Sequence, residues 1–181
     1  MTLPSREQCL QLLHKHKVPE NIVRHSLQVE RVAVFLAEKM KRAGEKVDMQ
    51  LVSRAAMLHD LDKTKTLEQG FRHLHGKMSR AILEKEGFPK IGAIAEKHHL
   101  YYILRKKPFA NWEEKIVYYA DKRVNHDQIV SLEDRLKYLV ASYGQTKEKR
   151  EKIASCGTLA QELEKEIFNK LCTDSSLSEL K

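Results

Sequence analysis

Ala55-Ala56-Met57-Leu58-His59-Asp60-Leu61-Asp62-Lys63 closes an apolar helical run with a His-Asp doublet, and a lysine follows three residues after the aspartate. The run that leads into it (Leu51, Val52, Ala55, Ala56, Leu58) has the spacing of a buried helix face, and Asp48 stands where an N-cap belongs. A histidine beside an aspartate places a neutral nitrogen donor next to an anionic oxygen donor, a mixture suited to zinc, iron, manganese or cobalt. By itself such a doublet at a helix end is more often a cap or a satisfied polar pair. Whether it is more depends on which further ligands the chain supplies.

Toward the N-terminus, Ser5 and Gln8 form a capping-box pattern for a short helix carrying Leu10, Leu12 and Leu13. Pro19 then opens a long helix running to about residue 43, whose apolar positions recur near every 3.6 residues, and Gly44 ends it. His25 lies in that helix close to the stripe of Ile22, Val29 and Leu36.

Toward the C-terminus, residues 64–74 read as polar and irregular and carry Arg72 and His73. His75-Gly76 starts the next helix, which Gly87-Phe88-Pro89 breaks. A further helix, 91–100, ends in His98-His99. Residues 101–111 read as a loop of aromatic and basic side chains, suited either to stacking a base and pairing a phosphate or to anchoring a helix end. Helical periodicity returns over 112–126, with Asp121 against an apolar face, where an isolated carboxylate is costly unless paired or metal-bound. Ser131 opens another helix, and Gly144 separates it from a last charged helix, 147–171.

Few glycines and prolines and 32% charged residues favour a helical protein over a sandwich or a disordered chain. The 181 residues suffice for one domain with a real core, and an all-α, single-domain bundle of about seven or eight helices is expected. Within it, 1–18 is read as an N-terminal helix packing on the core, 19–143 as the helical metal-binding core, and 144–181 as a charged helix and tail. No apolar run reaches the ~18 residues of a membrane span, and the N-terminus lacks a basic-then-apolar signal pattern, so a cytoplasmic protein with no membrane partner is expected. Cys9, Cys156 and Cys172 are odd in number and far apart, which speaks against a disulfide framework, a zinc ribbon or a redox pair. The net charge of +8 suits a polyanionic partner, although lysine-rich helical surfaces are also simply solvated.

His25, His59-Asp60, His75, His98-His99 and Asp121 each fall within or at the end of a different helix near an apolar stripe, and helices in a bundle can turn such residues toward one point. His25, His59, Asp60 and Asp121 make a complete N/N/O/O set for one metal. His75 with His98 or His99 is available for a second, with Asp60 bridging. Spacing does not decide between His98 and His99.

This ordered set resembles the HD-domain superfamily of metal-dependent phosphohydrolases, whose signature is an isolated His, a His-Asp doublet and a distal Asp. Val23-Arg24-His25-Ser26-Leu27-Gln28-Val29 resembles the family's opening helix, and Val117-Tyr118-Tyr119-Ala120-Asp121 its closing one. The quoted stretch resembles the frequent Leu-Leu-His-Asp-Ile-Gly-Lys, with Asp62 replacing the usual small residue. His75 and His98-His99 resemble the dinuclear branch, whereas the Gly-Tyr-Pro segment of cyclic-dinucleotide phosphodiesterases is absent after His98-His99.

The resemblance implies one or two divalent transition metals (Fe, Mn, Co, Zn or Ni, with Mg admissible) and hydrolysis of a phosphate ester or anhydride through a metal-activated water. The substrate class is a phosphate-bearing small molecule, foremost a nucleotide. The resemblance further implies Lys63 as a phosphate contact. Asp62 is close enough in sequence to polarise the water or orient Lys63, and Arg72, His73, Lys122 and Arg123 are further phosphate-contact candidates. Two rivals carry the same ligand set: a diiron oxygenase, and a nucleotide-sensing or RNA-associated module whose metal is only structural.

Overall fold

The long second helix organises the molecule. In a computed structural model that describes residues 2–68 and 70–180, without the side chains of Leu67, Glu68 and Arg72, α2 (Glu20–Arg42) packs most extensively on α3 (Met49–Leu58) and then on α7 (Trp112–Asp121). Its buried positions His25, Val29, Val32, Ala33, Leu36, Ala37 and Met40 recur every three or four residues. His25 is thus carried inward by the same periodicity that buries the valines.

The sequence capping signals act as read. In α1 (Arg6–Lys15) the Ser5 hydroxyl accepts from the Gln8 amide at 3.1 Å while the Gln8 side chain accepts from the Ser5 amide at 2.7 Å. Asp48 caps α3 through the Leu51 amide at 3.0 Å. Asn111 and Ser131 do the same for α7 and for α8 (Leu132–Tyr143). The short helices α5 (Lys77–Lys85) and α6 (Pro89–Lys97) form a tight hairpin, with α6 also packing on α3 and α7. The last long helix, α9 (Lys147–Leu171), pairs with α8 and crosses a 3-10 turn at Leu100–Leu104. With α4 (Lys63–Glu68), a turn and a half, the described residues contain eight helices of nine residues or more and one short one. The architecture is all-α, and no helix among the described residues is long and apolar enough to cross a membrane.

Three local readings are corrected. The segment 64–74 holds α4 and a 3-10 turn at Arg72–Leu74 where an irregular loop was expected. The helix expected through residue 100 stops at Lys97: His98 is its C-cap, with its ring bonded back to the Ala95 carbonyl, and His99 leaves the helical region at ψ 134°. The helix expected through residue 126 stops at Asp121. A two-stranded hairpin follows, Val124–Asn125 paired antiparallel with Gln128–Ile129. Asn125-His126-Asp127 accepts a tight turn, with His126 at φ +54°, and Arg123 closes its base by donating from Nε to the Val130 carbonyl at 2.8 Å.

Gly76, the N-cap of α5, holds φ +83°, and a Cβ built there would lie 2.9 Å from the Glu96 carbonyl oxygen. That oxygen belongs to α6 backbone and cannot swing aside. Gly76→Ala is expected to destabilise the fold by about 2–4 kcal/mol, from backbone strain plus overpacking. Gly70→Ala, also at positive φ but with nothing within 4 Å of its Cβ, should lose less. Urea melts of the two variants check this.

Candidate metal centre

His59 and His98 occupy equivalent positions, each as the C-cap of its helix. The last carbonyls of a helix lack intrahelical donors. His59 Nδ1 donates to Ala56 O at 2.7 Å, and His98 Nδ1 donates to Ala95 O, each reaching back three residues. Satisfying the helix end turns the far nitrogen of both rings inward. His25 Nδ1 donates to the His126 carbonyl at 2.7 Å, at the tip of the hairpin, and Arg24 pairs with Asp127 of the same tip at 3.3 Å. His75 Nδ1 donates to the Asp62 carboxylate at 2.8 Å.

Carbonyl and carboxylate oxygens only accept, so Nδ1 carries the proton in all four rings. In the neutral imidazole the lone pair is then on Nε2. These four Nε2 atoms converge on two carboxylates. His25 Nε2 is 3.0 Å from Asp121 Oδ1, and His59 Nε2 lies 3.7 Å from both Asp121 Oδ1 and Asp60 Oδ2. On the other side of Asp60, His75 Nε2 and His98 Nε2 are each 3.2 Å from Oδ1 and 3.0 Å from each other. Asp60 therefore lies between two clusters, one oxygen toward each.

Burial sets the charge states. It pushes the His59 imidazole down to about 3, so this ring is neutral at ordinary pH. Burial also depresses His98. It acts in the opposite sense on Asp60, but chiefly the Lys63 ammonium, 3.4 Å away, outweighs it and holds the carboxyl well below the usual range. Asp121 is likewise held ionised against burial, chiefly by the Lys122 ammonium that touches it.

The arrangement fits divalent cations. His59 Nε2 is fully buried and has no hydrogen-bond partner, an expensive state for a polar atom unless its lone pair meets an electrophile. Around Asp60 Oδ1, two imidazole lone pairs and an anionic oxygen face one another with the Lys63 ammonium beside them, a donor set that a divalent cation would draw together. His25, His59 and Asp121 offer donor atoms within 4.8 Å of one another, as do His59, Asp60 and His98. Nitrogen and carboxylate oxygen donors, with each histidine held from behind by its Nδ1 partner, suit transition metals.

The remaining sequence candidates divide. His99 is half-buried and is not in the cluster. Its ring lies edge-on to His75 at 5.8 Å and to Tyr101 at 5.5 Å, so His98 is the member of the doublet that reaches Asp60. Lys63 Nζ lies 3.1 Å from His75 Nε2 and is 27% exposed, on the open side. The Asp62 carboxylate makes no hydrogen bond to Lys63. It accepts from the Gly76 and Ser79 amides at 2.8 and 3.2 Å and from His75, so it caps α5, whose N-cap glycine has no side chain to do so. Lys122 is buried, donating to the His98 carbonyl at 2.8 Å and pairing with Asp121. Arg123 is also buried, and its donors go to Val130, Tyr119 and Glu164. Neither is available to a phosphate. His73 is exposed, its ring edge-on to Phe71, and the side chain of Arg72 lies outside the described residues.

Two contributors escaped the sequence reading. The His126 carbonyl orients His25, and Ser79 ties Asp62 to His59 by donating to the His59 carbonyl at 2.9 Å and accepting from the Asp62 amide at 3.2 Å. No sequence signal marks a backbone carbonyl, and Ser79 has the appearance of an ordinary helix serine.

The HD domain family model matches residues 22–139. An uncharacterised protein of Methanocaldococcus jannaschii is 32% identical over 143 residues, 72% of this chain and 82% of that protein. Two tRNA (cytidine(56)-2'-O)-methyltransferases are also similar. The one from Picrophilus torridus is 30% identical over 142 residues, and the one from Thermoplasma volcanium 32% over 97 residues. These matches cover 72% and 53% of this chain but only 39% and 26% of the respective methyltransferases, so the likeness is to a part of each. No solved structure matches.

Proposed function

This chain belongs to the HD-domain family, a superfamily of metal-dependent phosphohydrolases, and from that premise we propose that it hydrolyses a phosphate ester or anhydride, foremost of a nucleotide, at a pair of divalent transition metals. The observation that carries this reading is the convergence of four Nε2 lone pairs on Asp60 and Asp121, with His59 Nε2 buried and unpartnered. His25, His59, Asp121 and one oxygen of Asp60 would hold the first ion; His75, His98 and the other oxygen of Asp60 would hold the second. Divalent ions in such a site supply activation of water near neutral pH and neutralise charge on phosphoryl oxygens.

The protein's own groups do the rest. Asp60, ionised by Lys63, keeps the two clusters in one register. Lys63, on the open side, donates to a phosphoryl oxygen of the substrate and offsets charge as it builds there. Lys122 keeps Asp121 ionised and aimed at His25. The buried apolar surroundings limit water to the open side of the cluster.

Metal analysis of the purified protein, followed by a phosphohydrolase screen with Mn, Co, Fe, Zn, Ni and Mg, tests the reading. Loading with a tight-binding metal at about a hundredfold over its Kd should stabilise the fold by about 2.7 kcal/mol, and chelation should reverse it. A melting curve indifferent to both metal and chelator, with no bound metal, overturns the proposal. A second reading draws on the net charge of +8 and on the methyltransferase relatives: the phosphate is carried by RNA, or the domain only binds it. Oligonucleotide binding without turnover across the metal panel would favour the binding module.

A further inference from the structure

The exposure of the cluster has a direction. The side chains of His59, His98, Asp60, Asp121 and His25 are 8% exposed or less, whereas His75 reaches 14% and Lys63 27%. The mouth is therefore on the side of His75 and Lys63. From His75 a line of edge-on rings leads outward: His99 at 5.8 Å, then Tyr101 a further 5.5 Å on. Over the Tyr101 ring, 4.7 Å from its centroid, lies the ammonium of Lys152. Lys152 belongs to α9, beyond the residues 22–139 that the family model matches.

Among the α9 cations, Lys152 is the one whose charge lies over an aromatic ring, and no carboxylate among the described residues pairs with it. Lys147 pairs with Glu151, and Lys170 with Glu45. An ammonium held over a ring keeps its donors free while losing some of its conformational freedom. Lys63 at one end and Lys152 at the other thus bracket the His99–Tyr101 edge with two positive charges.

The geometry points to a second anion subsite: Lys152, positioned by Tyr101, binds a phosphate other than the one cleaved at the metal pair. The substrate class is then a compound with at least two phosphates, supplied either by a polyphosphate chain or by the next nucleotide of a short oligonucleotide. This inference rests on the phosphohydrolase reading.

The test uses the full-length, metal-loaded protein and its Lys152→Ala, Tyr101→Ala and Lys165→Ala variants. Bis(p-nitrophenyl) phosphate serves as a single-phosphate substrate, and ATP and a trinucleotide as the two extended arms. Losing one charge-assisted contact should lower the preference for the extended substrate over the single-phosphate one by about tenfold in Lys152→Ala. Binding of inorganic tripolyphosphate, by calorimetry, should weaken in parallel. Tyr101→Ala should show part of both effects. Lys165→Ala removes an equal charge from an exposed part of α9 and should change neither. Whichever arm responds names the source of the second phosphate. Unchanged preference and tripolyphosphate binding in Lys152→Ala, or equal losses in Lys165→Ala, overturn the subsite while leaving hydrolysis intact. A wild type that turns over none of the three substrates yet loses tripolyphosphate affinity only in Lys152→Ala keeps the anion subsite and removes the phosphohydrolase reading.

Discussion

Asp60→Ala is expected to strip the protein of bound metal and lower phosphatase turnover by roughly 10³-fold, with helical circular dichroism retained. The size of the effect follows from position. Asp60 Oδ2 faces His59 and Oδ1 faces both His75 and His98, so one truncation removes a donor from each cluster. It also frees the Lys63 ammonium from its nearest carboxylate. Secondary structure should survive, because the Asp60 side chain caps no helix: α3 is capped by Asp48 and α5 by Asp62. Asp60→Asn keeps the shape while removing the charge, and it should lose metal nearly as completely. Metal content by elemental analysis, with turnover on the best substrate of the screen, checks both variants. Full turnover in a metal-free Asp60→Ala protein would sink the proposed mechanism.

Asp62→Ala should act differently, weakening one cluster and the fold together. The substitution orphans three donors at once: the Gly76 and Ser79 amides and His75 Nδ1. Loss of a buried cap with its charged hydrogen bonds should destabilise by about 2–4 kcal/mol. With its acceptor gone, the His75 ring loses both its orientation and its tautomer. Affinity for the second ion should then fall by about 10–100-fold, as for other partners behind a ligating histidine. The cluster of His25, His59 and Asp121 makes no contact with Asp62 and should still load. Asp62→Asn can keep an amide cap through its oxygen, so it should recover much of the stability but not the second ion. Metal titration with stoichiometry, beside urea melts, separates the two roles. Two ions bound with unchanged affinity in Asp62→Ala would make this carboxylate a bystander.

The contrast between Asp60 and Asp62 marks how far the chain could be read unfolded. Both aspartates belong to the quoted stretch, and adjacency in sequence suggested kindred duties. Across the intervening turn, however, Asp60 is aimed at the histidines while Asp62 points back to α5. Which of two neighbouring carboxylates meets solvent, metal or a helix end depends on the path of the chain after the helix. Lys122 and Arg123 failed as phosphate contacts for a similar reason. Cationic residues next to a site aspartate invite that role, but the α7 end is enclosed by α9 and the hairpin, where a buried charge must find a partner within the protein.

Local chemistry in the sequence determined the helices, their caps and the inward placing of His25, because a 3.6-residue apolar period and a capping side chain act within a few residues of where they are written. The order of His, His-Asp and distal Asp carried the family. Tertiary structure alone decided that His98 rather than His99 reaches Asp60, that the chain from 122 to 131 forms a hairpin whose tip carbonyl orients His25, and that Lys152 of the last helix lies over Tyr101. Apart from the hairpin's own pairing, those outcomes depend on contacts between residues 38 to 101 positions apart, and no local periodicity encodes which ring nitrogen a distant carbonyl will hold.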